Sequence, residues 1–345
     1  MRLPSLSLIA LSLLSASSYA VENGTPVDWD QYDDSVRLEN PTGGNCTATL
    51  LAGRYAITAG HCLEETGIDR LTTAHNTTTF LTDQWLSPEY TDEYGRDAKD
   101  VGIVLVDSPV DYRHIQFLNI DEQNEGEPMV IRGFGGTIDS LNQADFTFSN
   151  YHWDKEFRVY ADMVNESHTT GGDSGAAWTI NKDGNEEIIA IHRGKSTNPN
   201  TMEFSADGTT IQSVQDFITD TIDGWHYPTL ANTDENGKAT ITVQSLHRDI
   251  IFDSAWGDNV TITGGTCLDG SPINPFDKCT YDIENDGTQG ELYLSDDEVI
   301  HINKPIENTG GGDSGNNNTD NDDSGGSMGF WSLLLLGVAT LRRKR

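Results

Sequence analysis

The stretch NCTATLLAGRYAITAGHC, residues 45–62, constrains the fold more than any other part of the sequence. Two apolar runs, 47–51 and 55–58, are separated by Ala-Gly-Arg, a combination that is typical of a β-hairpin. The second run leads directly to His61, so the hairpin places an imidazole at its end. We therefore expect the fold to be organised around paired strands.

Composition limits the class of protein. The 345 residues include 55 acidic and 21 basic side chains, and the net charge of −34 would repel nucleic acid and anionic lipid. Hydrophobic residues make up 35%, too few for a multi-span membrane protein, and the length allows two or three domains. We expect a soluble, β-rich body that does not bind nucleic acid.

Both ends of the chain have the composition of sorting segments. Residues 1–20 have a basic start, an apolar centre and small residues before the junction, which predicts a secretory signal peptide cut after Ala20. Residues 307–327 form a flexible acidic linker rich in Gly, Asn and Asp. Residues 328–345 contain an apolar run and a basic end. That run is shorter than the roughly 20 residues of a comfortable transmembrane helix, so by itself it predicts a marginal membrane anchor.

As a whole, this C-terminal segment resembles the GlyGly-CTERM sorting signal of Gram-negative bacteria. It has the Gly-rich lead, the short apolar run and the basic end of that signal. The resemblance implies transient membrane association through the tail and removal of the tail by a rhombosortase-type protease. The protein would then reach the cell surface or the medium.

The four cysteines predict two local disulfides, since an exported protein meets an oxidising compartment. The expected pairs are Cys46 with Cys62 and Cys267 with Cys279. The first would close the hairpin loop and contribute about 3 kcal/mol in the chain-entropy model. A zinc site is the alternative, but it needs clustered spacing such as CxxC, which the sequence lacks. We expect no metal.

Two further segments carry side chains suited to catalysis. Asp100 directly precedes the apolar run Val101–Val106, which predicts a buried strand beside a desolvated carboxylate. Ser174 lies within the Gly-Gly-Asp-Ser-Gly sequence at 171–175, whose glycines allow backbone N–H groups to point into one space. Taken singly, an acid that leads a strand or a lone histidine is usually structural.

Together, the three motifs resemble those of the chymotrypsin/trypsin-like serine proteases. TAGHC is similar to the histidine motif of that family, KDVGIVLVDSP to the aspartate segment, and GDSG to the serine motif. VIRGFGG at 130–136 and a helix predicted at 213–225 extend the resemblance over residues 21–226. It implies an all-β fold of two six-stranded antiparallel β-barrels with a C-terminal helix. It also implies a serine endopeptidase that acts on peptides or proteins without a cofactor.

The resemblance assigns a role to each catalytic group. His61 would accept the proton of Ser174 and return it to the leaving amine, while Asp100 would orient His61. The backbone N–H groups of Gly172 and Ser174 would form the oxyanion hole. A binding or adhesion protein built on an inactive protease-like scaffold is the alternative class.

The predicted signal junction also resembles the mature start of the family. Cleavage after Ala20 would leave Val21 as the first residue of Val-Glu-Asn-Gly. Its ammonium would then pair with Asp173 and order the loop before the nucleophile. Signal peptidase would then be the activating enzyme. The alternative is that Val21 makes no contact and plays no part in activation.

Substrate preference is indicated by the residues near the serine. His168 stands where trypsin-type enzymes have an acidic residue, which disfavours cleavage after Lys or Arg. Thr169 and His192 are similar to specificity residues of the glutamyl endopeptidase branch, so we expect a preference for acidic P1 residues. Asp173 and Arg193 depart from the pattern of that branch. The alternative is that His168 and His192 only pack in the fold or meet solvent. The protein would then be a trypsin-like protease of other specificity.

Residues 227–306 form a separate pattern of short alternating stretches and Asp/Asn/Gly turns. With one disulfide, they predict a small β-sandwich-like accessory domain. Its acidic turns lack the full spacing of a calcium loop, which favours solvated turns over calcium ligands. The domain carries no catalytic set, and a substrate-docking role is the functional alternative.

Overall fold

The structure is a computed structural model that describes residues 21–64, 66–90, 99–137 and 140–306. The predicted signal peptide (1–20), linker (307–327) and C-terminal sorting segment (328–345) lie outside these residues and stay predictions. Within the described ranges, the model contains no helix with the length and apolar character needed to cross a membrane.

Six antiparallel strands in the first part of the chain close into a barrel, preceded by the two-residue strand β1 (Thr25–Pro26). In chain order they are β2 (Ser35–Glu39), β3 (Asn45–Leu51), β4 (Tyr55–Thr58), β5 (Arg70–Thr72), β6 (Thr78–Leu86) and β7 (Gly102–Val106). Around the barrel the order is β2-β3-β4-β7-β6-β5, and β5 pairs back with β2. Closure pairs both edges of the sheet, and Val36, Leu38, Ala48 and Leu50 belong to its buried apolar core.

A second barrel follows. Its region contains β8 (Phe117–Leu118), β9 (Pro128–Gly133), β10 (Asn142–His152), β11 (Lys155–Met163), β12 (Ala177–Lys182), β13 (Asn185–Thr197) and β14 (Phe204–Thr210). Six of these pair in the order β9-β10-β11-β14-β13-β12, and β12 pairs back with β9. The short strands β1 and β8 add to β10 and β13. The prediction of two six-stranded antiparallel barrels is confirmed.

The predicted hairpin and its disulfide are both confirmed. β3 and β4 pair antiparallel, and Ala52 and Gly53 form the turn in left-handed conformations. Cys46 on β3 is bonded to Cys62 in the short helix α1 (Gly60–Glu64). The bridge therefore ties the start of the hairpin to the helix that carries His61.

The helix predicted at 213–225 is shorter than expected. A 3₁₀ turn (Gln212–Val214) leads into α2 (Gln215–Ile222). The helix ends because Asp223 adopts a left-handed conformation and its N–H caps the Thr219 carbonyl. Trp225 lies in the next strand rather than in the helix. Two other 3₁₀ turns are Trp29–Tyr32 and Thr266–Asp269.

The C-terminal region contains two four-stranded sheets. Its strands are β15 (Trp225–His226), β16 (Leu230–Ala231), β17 (Lys238–Ser245), β18 (Trp256–Asp258), β19 (Thr261–Gly264), β20 (Lys278–Glu284), β21 (Gly290–Tyr293) and β22 (Val299–Ile302). The sheets have the orders β15-β17-β20-β19 and β16-β22-β21-β18 and contribute to one buried apolar core. The predicted disulfide between Cys267 and Cys279 is present.

Buried polar contacts join these sheets to the barrels within one compact unit. His226 Nδ1 accepts a hydrogen bond from the Ala52 N–H at 3.2 Å. The side-chain amide of Gln244 accepts from the Leu118 N–H at 2.9 Å and donates to the Leu118 carbonyl at 2.8 Å. Because such groups cost free energy when left unpaired, the C-terminal region stabilises the barrels on which it packs.

Candidate active site

Strand pairing in the first barrel brings His61 and Asp100 together. β4 ends at Thr58, which lies opposite Gly102 of β7, so the residues that follow β4 and precede β7 are neighbours. The His61 Nδ1 lies 2.7 Å from Asp100 Oδ2, and the His61 backbone N–H donates to Asp100 Oδ1 at 2.9 Å. Two bonds therefore hold the carboxylate against the imidazole.

The electrostatics of this pair suit a base held by a carboxylate. Burial would raise the pKa of Asp100, but hydrogen bonds and the charge of His61, with Arg193 nearby, hold that pKa below its ordinary value. The ionised carboxylate accepts the proton of His61 Nδ1, which leaves the lone pair of the neutral ring on Nε2. His61 can then accept a proton at Nε2.

Ser174 is held against the same hairpin from the second barrel. Its carbonyl accepts a hydrogen bond from the Thr47 N–H at 2.8 Å. The next residue, Gly175, has a φ of +86°, and a Cβ there would collide with the Thr58 hydroxyl and the Thr47 carbonyl. Only glycine fits this close approach, which fixes the serine turn beside the end of β4.

The turn before Ser174 presents unpaired backbone donors. Gly172 has a φ of +103°, and its carbonyl accepts from the Thr47 hydroxyl at 2.9 Å. Across the residues that the structure describes, the N–H groups of Gly172 and Ser174 donate to no acceptor. Donors arranged in this way can stabilise negative charge on an oxygen beside the serine.

His192 and Thr169 are both buried, at 1% exposure each. His192 is tied to the serine turn, since its carbonyl accepts from the Gly175 N–H at 2.8 Å and its N–H donates to the Ala176 carbonyl at 2.8 Å. The Thr169 hydroxyl oxygen has no hydrogen-bond partner within the described ranges. Burial, and next the charge of His61, lower the pKa of His192 to about 3, so its ring is neutral.

His168 lies closer to the surface than these two. Its Nδ1 is 3.1 Å from the Thr169 carbonyl oxygen and 3.4 Å from Lys195 Nζ. Its Nε2 is 3.5 Å from a carboxylate oxygen of Glu22, and the two residues form an antiparallel bridge. His168 therefore contacts the segment that follows the predicted cleavage point.

Val21 and Asp173 are both fully buried. The Val21 side chain packs in the apolar core of the second barrel, and its φ is +49°, which is strained for a β-branched residue. Asp173 accepts hydrogen bonds from the Gly135 N–H at 2.8 Å and the Thr170 N–H at 2.7 Å. Burial raises the pKa of Asp173 to about 6. In the described part of the uncut chain, no hydrogen bond joins Val21 to Asp173.

Comparison with known families identifies the protease region. The family model for trypsin matches residues 23–218, more than half of the chain. The chain belongs to the trypsin family. The matched range covers both barrels and reaches into α2, so it includes His61, Asp100 and Ser174. The protein is therefore a trypsin-family serine protease.

Solved structures of serine proteases are similar to the chain at low identity. Neuropsin, a serine protease expressed in the limbic system of mouse brain, is 18% identical, with 58% of this chain and 99% of that chain covered and a TM-score of 0.49. The secreted serine protease VesC from Vibrio cholerae is 14% identical, with coverages of 81% and 70% and a TM-score of 0.47. The Vibrio cholerae protease VesB is 15% identical, with coverages of 81% and 98% and a TM-score of 0.47. No curated protein matches the chain.

Sequence reasoning missed three residues of this trypsin-family site. In the sequence, Arg193 is only a departure from the glutamyl endopeptidase pattern, but in the structure its Nε lies 3.7 Å from Asp100 Oδ2 and its Nη1 lies 4.0 Å from Asp207 Oδ1. Trp178 and Lys195 were not singled out, although they lie near His192 and His168. In the sequence, only the position of Arg193 directly after His192 indicates that it lies near the site.

Proposed function

We propose that the protein is an exported serine endopeptidase that uses Ser174 as nucleophile, His61 as general base and Asp100 as the group that orients His61. The 2.7 Å contact between His61 Nδ1 and Asp100 Oδ2 is the observation that carries this proposal. The position of Ser174 beside the end of the same hairpin supports it.

The reaction proceeds in two halves. His61 Nε2 takes the Ser174 proton as the serine oxygen attacks the peptide carbonyl, and the carbonyl oxygen becomes negatively charged. The N–H groups of Gly172 and Ser174 stabilise that charge, and loss of one such donor costs on the order of 3 kcal/mol of transition-state stabilisation. His61 then protonates the leaving amine, and water deacylates the serine by the same route. No cofactor is needed for these steps.

We further propose that the residues next to the serine turn favour acidic P1 side chains. A carboxylate carries only acceptors, and the buried Thr169 hydroxyl offers a donor that is unpaired among the described residues. His192 is also buried, and His168 and Lys195 add polar and positive groups nearer the surface. Leaving such donors unpaired against an apolar P1 side chain would cost binding free energy.

A cleavage profile of the mature protein on a proteome-derived peptide library tests activity and specificity together. We expect most cleavages after Glu and Asp, because those side chains accept from Thr169 and His192. Cleavage after Lys, Arg or Phe instead would reject the acidic pocket while keeping the protease. Absence of both cleavage and labelling by an organophosphonate serine probe would favour the binding-protein alternative.

We also propose that cleavage after Ala20 activates the enzyme. Val21 already packs in the second barrel while the chain is uncut, so the new ammonium would form close to that core. Cleavage removes the peptide bond that defines the φ of Val21 and thus releases its strain. The ammonium would then pair with the buried Asp173. N-terminal sequencing of the active protein that finds a start other than Val21 would overturn this proposal.

The buried Asp173 makes the stability of the uncut chain depend on pH. Its pKa is about 6 in the folded state, against an ordinary value of 3.8, so the folded chain holds this proton more tightly than the unfolded chain. The resulting stabilisation is complete below the unfolded pKa of 3.8 and is lost as pH rises through 6. Relative to Asp173→Asn, we expect the uncut chain to lose about 2 kcal/mol of unfolding free energy between pH 4 and pH 8.

Denaturant unfolding of both uncut chains across that pH range measures the difference, because all other titrating groups are shared. The mature chain is the second comparison. There the ammonium of Val21 would stabilise the ionised carboxylate, and the loss should shrink or change sign. Equal pH slopes for the uncut parent and Asp173→Asn would contradict the prediction.

We also propose that the protein is exported and delivered to the cell surface or the medium. Two disulfides fit an oxidising compartment outside the cytosol. Signal peptidase would remove residues 1–20, and a rhombosortase-type protease in a Gram-negative bacterium would remove the tail after transient membrane association. Residues 227–306 would serve as an accessory or substrate-docking domain on the protease.

A further inference from the structure

Trp178 makes a buried contact with His192. The Trp178 Nε1–H donates to His192 Nδ1 at 3.3 Å, and the ring centroids are 6.2 Å apart at an interplanar angle of 33°. Trp178 is fully buried on β12, next to β13, which carries His192. Trp178 pairs with Ala190 and Ala177 with Ile191, so the indole lies close to His192 along the paired strands.

This contact determines where the imidazole carries its proton. An indole nitrogen can only donate, so His192 Nδ1 must present a lone pair to it. A proton on Nδ1 would oppose the indole proton, which excludes both the imidazolium and the Nδ1–H tautomer. His192 is therefore neutral with its proton on Nε2, and burial without a charged partner in direct contact agrees with the neutral form.

Within the described ranges, His192 Nε2 makes no hydrogen bond to protein. The Thr169 hydroxyl is buried and has no partner there either. A polar group without a partner in such surroundings is costly unless a ligand supplies one. The oxygen of a P1 carboxylate is such a partner.

We propose that Trp178 is a positioning residue for substrate specificity, holding the His192 proton on Nε2 so that this nitrogen donates to an acidic P1 side chain. This inference rests on the proposed acidic preference of the protease. Trp178 itself does not touch the substrate; it acts only through His192. Without the indole N–H, both tautomers of His192 are populated, and Nε2 carries the proton in only part of the molecules.

Kinetics on two peptides that differ only in the P1 residue, Glu or Ala, separate this role from a nonspecific loss of activity. We expect Trp178→Phe to lower the Glu/Ala ratio of kcat/KM by roughly 10- to 100-fold, the worth of a hydrogen bond to a charged group. Trp178→His keeps an N–H donor and should recover part of the ratio. Trp225→Phe removes another buried indole, in the C-terminal core, and should leave the ratio unchanged.

Nitrogen NMR of the histidines in the mature parent tests the tautomer directly. We expect the His192 proton on Nε2 at pH 7, and a mixed tautomer in Trp178→Phe. A proton on Nδ1 in the parent, or an unchanged Glu/Ala ratio in folded Trp178→Phe, would overturn the inference. A parent that shows no preference for Glu over Ala would instead reject the acidic preference, and the NMR result would still decide the role of Trp178 toward His192.

Discussion

Replacing Ser174 with alanine should lower kcat/KM for peptide cleavage by a factor on the order of 10⁶, because the substitution removes the attacking oxygen and leaves no other nucleophile in its place. The backbone of Ser174 is held by the Thr47 N–H and by the close approach of Gly175, so the turn should keep its geometry. Initial rates on a peptide from the library, with active-site labelling by an organophosphonate, measure the loss. The melting temperature should stay close to that of the parent.

The chain supplies its own control for this substitution. Ser314 lies in a second Gly-Asp-Ser-Gly sequence, at 312–315, outside the described residues. Ser314→Ala changes the same motif but leaves Ser174, His61 and Asp100 in place. We therefore expect full activity and full labelling of this variant. Labelling that persists in Ser174→Ala would place the nucleophile elsewhere.

Replacing Asp100 with asparagine should lower kcat/KM by about 10⁴-fold. The Asp100 carboxylate accepts both the Nδ1 proton and the backbone N–H of His61. An asparagine amide can keep one of these bonds, but its NH₂ would donate to Nδ1 and favour the tautomer with the proton on Nε2. That tautomer cannot accept the serine proton, so the base is lost while the fold is kept.

Steady-state kinetics with parent, Asp100→Asn and Asp121→Asn test this prediction. Asp121 is an exposed carboxylate that pairs with Lys182, and its neutralisation should leave kcat/KM unchanged within twofold. We expect kcat to account for most of the loss in Asp100→Asn, since the carboxylate does not contact the P1 side chain. A loss below tenfold would mean that His61 is oriented by another group.

Arg193 shows why the environment of Asp100 needed the folded chain. Its guanidinium approaches Asp100 from β13 of the second barrel, while Asp100 belongs to the first barrel. No local pattern around either residue encodes that meeting, since it depends on how the two barrels pack. Trp178 and His192 lie on neighbouring strands of the second barrel and meet through the pairing of β12 with β13.

Local patterns succeeded where neighbouring residues decide the structure. The hairpin at 45–62 follows from two β-prone runs around a turn, and its disulfide follows from cysteines at the ends of that hairpin. The sequence correctly predicts a helix after the second barrel but makes it too long. The left-handed conformation of Asp223 ends the helix before Trp225 enters a sheet. That sheet is built from partners more than 15 residues away, such as Ser245 opposite Trp225.

The amino-acid sequence alone determined the three motifs around His61, Asp100 and Ser174, the hairpin that carries His61 and the family to which they point, because each motif depends on residues close together in the chain. Only the tertiary structure decided the contact of Arg193 with Asp100, the burial of Val21 and the contact of Trp178 with His192. These contacts depend on strand pairing and barrel packing, and their free energies depend on burial and on distances that exist only in the folded chain.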